Sequence, residues 1–165
     1  MRIPSWLYRS ERIGRNGKRF SLYKIRTLKE DFSGNYANEQ GYTKYGKLLR
    51  KLKIDELPQV LNVLAGEMGI VGVRPELPEA IEIIPKEIRK ILLSKKPGLT
   101  SLSSIHFSDE EFLLQMSDDQ ARDYHEKIKP LKIALDVFYI QNKNWLLDLA
   151  IIYMTAKLML RRILK

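Results

Sequence analysis

Asn16-Gly17 constrains this chain more than any other pair of residues in it. Asn-Gly is the favoured centre of a two-residue type I′ turn, because both central residues need positive φ. The flanking segments, Arg12-Ile13-Gly14 on one side and Phe20-Ser21-Leu22-Tyr23-Lys24-Ile25-Arg26 on the other, predict a β-hairpin over residues 11–26. In its second strand Phe20, Leu22 and Lys24 share one face and Ser21, Tyr23 and Ile25 the other, by the two-residue period of a strand.

Most of the remaining chain has a helical period. Residues 30–42 are polar and glycine-containing and read as an exposed loop. Thr43 is placed to cap a short helix through Lys51, with Tyr45, Leu48, Leu49 and Leu52 as its apolar side. A second helix is expected over Asp55–Ala65, with Asp55 as N-cap and Pro58 in the first turn. Leu57, Val60, Leu61 and Leu64 form its core stripe, and Gly66 is the stop. Met68–Gly72 is a short apolar strand or turn leading to Val73-Arg74-Pro75. Residues 76–93 read as helix with a break at Pro85, and Lys96–Thr100 as a turn. Further helices are expected at Asp109–Met116, at Ser117–Lys129 and through Leu131–Lys165. In the last, Trp145, Leu149, Ile152, Ala156, Met159 and Ile163 share a face.

The expected fold class is therefore α+β: a helix-rich single domain with a small β-hairpin or sheet, amphipathic interfacial helices and no βαβ alternation. The 165 residues suit one domain, and 44% hydrophobic against 30% charged residues supplies a core. No run of about 20 apolar residues is present to form an ordinary transmembrane helix. The opening MRIPSWLYRSER lacks the apolar stretch of roughly 7–15 residues that marks a signal peptide.

Charge narrows the partners. Twenty-nine basic and twenty acidic residues give +9, which favours an anionic partner: nucleic acid, an anionic membrane, or phosphorylated small molecules. The lack of cysteine excludes disulfides, thiolate catalysis and Cys-type zinc sites. Two histidines, His106 and His125, are too few for a multi-His metal centre within one chain, and both read as structural. Walker, GxGxxG, HExxH and Ser-His-Asp signatures are all missing, as are helix-turn-helix, zinc-finger and RNP-type motifs.

Four features carry candidate chemistry. In Ile54-Asp55-Glu56-Leu57-Pro58-Gln59 two carboxylates open a helix whose positive end favours an ionised Asp55. Such a carboxylate, free at a helix mouth, can attack phosphorus, and Glu56 beside it can hold Mg²⁺ together with substrate phosphate oxygens. The same pair also suits a plain helix cap with a first-turn dipole partner. In Val71-Gly72-Val73-Arg74-Pro75, a guanidinium fixed between a glycine turn and a proline suits bidentate phosphate binding, or is a surface arginine at a turn. The hairpin cations Arg12, Arg15, Lys18, Arg19, Lys24 and Arg26 can neutralise a pyrophosphate or lipid head groups, or be solvated charge. The C-terminal helix, with Lys157, Arg161, Arg162 and Lys165 near its end, fits a membrane interface or a core face.

In order, these pieces resemble one family, the bacterial sugar transferases that begin surface-glycan assembly, the monotopic polyprenyl-phosphate phosphoglycosyl transferases. The matching blocks are ERIGRNGKRFSLYKIRTL, TKYGKLLRKLKIDELPQVLNVLAGEMGIVGVRPE, KPGLTSLSSI and KPLKIALDVFYIQNKNWLLDLAIIYMTAKLMLRR, from about residue 8 to 162. The resemblance implies a sugar transferase catalytic domain over 1–165. It implies transfer of a phospho-sugar from a UDP-sugar to undecaprenyl phosphate with release of UMP. It also implies Asp55 as nucleophile in a phosphosugar–aspartyl intermediate, Glu56 with Asp55 as Mg²⁺ ligands, and Arg74 on the donor phosphate or nucleotide. Arg12, Lys24 and Arg26 are the accompanying candidates for binding substrate anions. Inactive relatives that only bind nucleotide-sugar or lipid head groups, and a basic nucleic-acid-binding protein, are the competing classes.

This sequence departs from the family pattern in three places. Val73 stands where V-G-P-R-P has proline. The segment after Lys96-Pro97-Gly98-Leu99-Thr100 reads Ser101-Leu102-Ser103-Ser104-Ile105-His106-Phe107 instead of G-W-A-Q-V-N-G-R, so the matching arginine is absent and a different donor preference is expected. Relatives begin with a hydrophobic re-entrant membrane segment ahead of the block that starts near Trp6, which this sequence does not include. A shortened chain, an anchor-less form and a chain anchored through another protein are the alternatives. For a chain complete as given, the expectation is peripheral attachment at the cytoplasmic face of the inner membrane through the C-terminal helices and basic patches.

Overall fold

The computed structural model describes residues 4–29, 41–110, 114, 117 and 119–164. Strands β1 (Leu7–Ile13) and β2 (Arg19–Ile25) pair antiparallel, from Leu7 opposite Ile25 to Ile13 opposite Arg19. The turn is the one Asn-Gly demands. Asn16 has φ 57° and Gly17 φ 80°, and Lys18 N donates to the Arg15 carbonyl at 3.2 Å. β1 starts at Leu7, four residues before the expected Glu11, and Arg26 N donating to the Trp6 carbonyl at 2.7 Å carries the pairing further. Phe20 and Leu22 face inward, as their alternation predicts, and pack with Met68 and Val63.

Helix α1 (Gly46–Lys51) begins three residues after Thr43, whose hydroxyl does not cap it. Thr43 is instead tied by its backbone, its N donating to the Thr27 carbonyl and its carbonyl accepting from Gly46 N, both at 2.9 Å. A Cβ at residue 46 would strike the Thr27 carbonyl, so only glycine fits there. The apolar side expected of this helix is largely outward, with Tyr45 and Leu48 exposed.

The single helix expected over Asp55–Ala65 is two elements. A 3₁₀ turn spans Ile54–Gln59, and α2 spans Val60–Leu64. Pro58 is the physical reason: it has no N–H, and its ring crowds the carbonyl four residues back, so an α-helical ladder cannot run through it. Gly66, at φ 75°, ends α2 as expected. The polarity of this segment is the reverse of its predicted stripe. Leu57, Leu61 and Leu64 are 57%, 59% and 79% exposed, whereas Gln59 and Asn62 are 2% and 0% exposed. Asn62 is accommodated because its bonds are made: Nδ2 donates to the Ser21 carbonyl and to Glu67 Oε2, each at 2.7 Å, and Oδ1 accepts from Tyr23 N at 3.4 Å.

Strand β3 (Gly69–Val71) runs parallel to β4 (Gly98–Thr100), a segment expected to be a turn. Helices α3 (Pro78–Glu82) and α4 (Lys86–Leu92), separated at Pro85 as predicted, form the crossover between them. The chain thus holds one parallel crossover where none was expected. Two three-residue strands leave no periodic signal. They close because Gly72 and Gly98 let the backbones meet, with Gly98 N donating to the Val73 carbonyl at 2.9 Å.

Helix α5 (Leu102–His106) is capped by Ser101, whose hydroxyl accepts from Ser104 N at 3.0 Å. Helix α6 (Gln120–Asp123), a π-helical stretch over Tyr124–Ile128 and α7 (Lys129–Asn142) succeed one another without a break. Asp119 caps α6, so this helix begins three residues after the expected Ser117; Asp118, most of the predicted Asp109–Met116 helix and residues 30–40 of the predicted loop lie outside the described residues. Asn144 caps α8 (Trp145–Ile163) by accepting from Leu147 N at 2.9 Å. One core joins Ile13 of the hairpin to Ile81, Ile84 and Leu92, with Ile133 and Val137 of α7 against it; another holds Val71, Tyr139 and Ile151. The buried stripe of α8 is Leu147, Ile151 and Met154, so the face carrying Trp145, Leu149, Ile152 and Ile163 is the exposed one. Among the described residues no helix is long and apolar enough to cross a membrane. The architecture is α+β in one helix-rich domain, as the residue patterns predict.

Candidate active site

The 3₁₀ turn and β2 lie against each other, and this contact assembles the site. Lys53, at φ 58°, is the left-handed residue that starts the turn, so Asp55 is a first-turn residue and not the N-cap. Nor is it free at a helix mouth. Asp55 is 5% exposed, and its Oδ1 is buried without a hydrogen-bond partner. Burial raises its pKa above the usual carboxylate value and the neighbouring Glu56 charge adds to this, against the lowering pull of Lys24, Lys53 and Arg50. The shift thus runs opposite to the lowering expected from a helix-end field: desolvation is its largest cause, and the turn is too short to carry a large dipole.

Glu56 has the opposite character. Its Oε1 accepts from Arg74 Nη2 at 2.7 Å and from Lys24 Nζ at 3.1 Å, and Arg74 Nη1 lies 3.5 Å from Oε2. Burial pulls its pKa upward, but the Arg74 and Lys24 charges and the Arg74 hydrogen bond overcome this and hold it well below the usual value. Arg74, in the turn after β3, is raised further into its charged form by Glu56. Lys24 is pushed down to about 8, first by burial and then by Arg74, with Glu56 opposing.

The structure thus joins Asp55, Glu56, Arg74 and Lys24 in one electrostatic unit. Arg12 borders it: its pKa is lowered by burial and then by Arg74, and its guanidinium reaches toward the Pro75 carbonyl at 3.5 Å. Arg26 is placed elsewhere. Its Nε donates to the Ser5 carbonyl at 2.9 Å and its guanidinium lies 5.9 Å from the centre of the Tyr8 ring, at the far end of β2. Arg19 pairs with Glu11 at 2.8 Å near the hairpin tip.

Several neighbours were not foreseen. Lys53 is coupled to Glu56 and Asp55, and its backbone geometry leaves no mark in the residue pattern. Gln59 is buried with Nε2 unpartnered. Asp136 of α7 borders a cavity of ≈ 30 Å³ that also touches Arg74, and burial pushes its pKa up to about 7. The one available signal was the polar row Asp55, Gln59, Asn62, which recurs at helical spacing opposite the leucines. No cluster of three or more metal-ligating side chains occurs among the described residues.

The profile of the bacterial sugar transferase family matches residues 2–162. This chain belongs to that family. It is 36% identical over 154 residues to EpsL of Bacillus subtilis (strain 168), an uncharacterized sugar transferase, covering 91% of this chain and 67% of the relative. It is 32% identical over 180 residues to the undecaprenyl-phosphate galactose phosphotransferase of Salmonella typhimurium, covering 94% of this chain and 33% of the relative. Over 162 residues it is 32% identical to the undecaprenyl-phosphate glucose phosphotransferase of Komagataeibacter xylinus, covering 92% and 28%. This sugar transferase chain therefore spans two thirds of one relative and about a third of the other two.

Proposed function

We propose that this sugar transferase moves a phospho-sugar from a UDP-sugar to a polyprenyl phosphate and releases UMP. The carrying observation is the Asp55-Glu56 pair set among Lys24, Lys53 and Arg74, an acid with an unsatisfied oxygen inside a cationic cluster. Relatives named as undecaprenyl-phosphate phosphotransferases, with galactose and glucose as their sugars, support the substrate classes.

In this reading the donor diphosphate enters beside the turn, where Arg74 and Lys24 offset its charge. An Asp55 oxygen attacks the sugar-bearing phosphorus, forming a carboxyl–phosphate bond as the bond to the bridging oxygen breaks, and that electron pair leaves with UMP. A polyprenyl phosphate oxygen then attacks the same phosphorus and restores the Asp55 carboxylate, so no net proton is consumed. With Asp55 5% exposed, donor entry and a turn of this side chain toward the phosphate belong to the first step. Two displacements give ping-pong kinetics.

Mg²⁺ fits the residues present. The orphaned Asp55 oxygen and Glu56 supply two adjacent carboxylates, the donor set Mg²⁺ takes when phosphates complete its shell. When bound, the ion would neutralise diphosphate charge. Glu56 would then share its oxygens between the ion and Arg74.

The exposed leucines Leu61 and Leu64 of α2, and the outward face of α8 with Trp145, Tyr153 and Leu160, are apolar surfaces suited to peripheral contact with an anionic membrane where the lipid acceptor resides.

The test is chemical trapping. The chain is incubated with UDP-galactose, UDP-glucose or UDP-N-acetylgalactosamine, Mg²⁺ and no acceptor. The expected result is stoichiometric UMP and a phosphosugar adduct on Asp55 by mass spectrometry, both lost in Asp55→Asn. UMP release at the wild-type rate by Asp55→Asn would remove the nucleophile from the scheme.

A further inference from the structure

Two polar atoms in the 3₁₀ turn lack partners: Asp55 Oδ1, an acceptor, and Gln59 Nε2, a donor. They lie four residues apart, at 5% and 2% exposure, in the turn that packs against β2. A buried donor without a partner costs the folded chain, and native structures keep few of them. A leucine at residue 59, of similar volume, would fill the same buried position on the face opposite the exposed leucines and carry no such cost. Asn62, one turn further along, satisfies both ends of its amide, so buried amides here are not generally left unpaired.

We infer that Gln59 is a catalytic residue, its side-chain N–H donating to a non-bridging oxygen of the phosphoryl group that Asp55 attacks. This rests on the phosphoryl-transfer function proposed for the site. A neutral donor suits that position. The Lys24 and Arg74 charges are already engaged by Glu56, whereas the Gln59 amide N–H has no partner to give up when negative charge grows on the phosphoryl oxygens.

The experiment compares wild type, Gln59→Leu and Gln59→Glu in the trapping assay, well below the melting temperature of each, with rates taken per folded molecule. Gln59→Leu, close in volume but without the donor, is expected to melt no lower than wild type, while single-turnover UMP release falls about 100-fold with donor KM little changed. Gln59→Glu, an acceptor beside Asp55, is expected to be at least as slow. A Gln59→Leu rate equal to wild type, or a change confined to KM, would overturn the assignment. If wild type forms no adduct with any of the three donors, the phosphoryl-transfer reading itself fails. If wild type forms it and Gln59→Leu does so equally fast, only the role of Gln59 fails.

Discussion

Replacing Arg74 with methionine keeps most of its apolar stem and deletes the guanidinium, which isolates its bond to Glu56. That bond is short, 2.7 Å, and its acceptor is 13% exposed, although the Arg74 side chain is 36% exposed. A hydrogen bond between charged groups contributes about 1.5–3 kcal/mol, and the exposed guanidinium places this one in the lower half, about 1.5–2 kcal/mol. For a chain of this size the melting temperature should fall by roughly 3–8 °C at pH 7. The pH dependence comes from the pKa shift of Glu56, which lies well below its ordinary 4.5 in the folded state. A depressed carboxylate contributes stability that is complete above the unfolded value and is lost as pH falls through the folded one. The gap between wild type and Arg74→Met should hold constant from pH 4.5 to about 8 and close only well below 4.5. Lys24 gives an independent readout. Its value of about 8, against an ordinary 10.5, means the unfolded chain binds its proton more tightly, so stability rises with pH between those values. Without Arg74, the second cause of that shift, Lys24 should titrate higher and the rise should shrink. Thermal melts across pH on wild type, Arg74→Met, Glu56→Gln and the double variant complete a cycle. A coupling of zero between the two positions, or a gap that ignores pH, would refute the electrostatic unit.

Three further outcomes are expected. Asn62→Ala leaves the Ser21 carbonyl and Tyr23 N without their side-chain partner, and should cost about 2–4 kcal/mol in urea unfolding; a loss under about 1 kcal/mol would contradict its role as the anchor of β2. Asp55→Asn should melt at or above wild type at pH 7, because a raised carboxylate pKa gives stability that is complete below the ordinary 3.8 and lost as pH rises through the folded value; a markedly lower melting temperature at pH 7 would show that the Asp55 charge is structural. Leu61→Glu with Leu64→Glu should leave folding within about 0.5 kcal/mol, both sites being exposed, yet weaken co-sedimentation with anionic vesicles at least about tenfold; unchanged sedimentation would take α2 out of the membrane contact.

How far the residues alone reveal each element depends on the range of the interactions that decide it. Asn16-Gly17, Gly66 and Pro85 act within a few residues, and the hairpin turn, the end of α2 and the break between α3 and α4 stand where they predict. The parallel pairing of β3 with β4 depends on two glycines 26 positions apart in the chain, and its strands are too short to show alternation. Asp55, Glu56, Arg74 and Lys24 are recognisable by residue type, and the fold brings them together. Arg26 has the same alternation as Lys24, but the strand end turns it to Ser5 and Tyr8. The ionisation of Asp55 is not legible in the sequence because composition carries no information about desolvation, which is the largest cause acting on it.

The inverted turn is where these lines meet. A stripe of four apolar residues at helical spacing ordinarily marks a core face, because each buried leucine contributes on the order of 1.5–3 kcal/mol. Here Leu57, Leu61 and Leu64 forgo that contribution while Asp55 and Gln59 hold buried atoms without partners. Local conflict of this kind survives only when stronger contacts fix the segment, and two do. Asn62 is bonded at both ends of its amide to β2 and Glu67, and Glu56 is held by Arg74 and Lys24. Both anchors lie within seven residues of one another, so the turn is held from its two ends. On the proposed reading, each unfavourable surface has a ligand that removes the conflict. Lipid covers the leucines on one side, and the donor phosphate meets Asp55 and Gln59 on the other. Substrate binding and membrane contact should then stiffen the same dozen residues. Hydrogen exchange at amides 54–65 should slow with donor alone, slow with vesicles alone, and slow most with both; protection by neither would separate this turn from the function assigned to it.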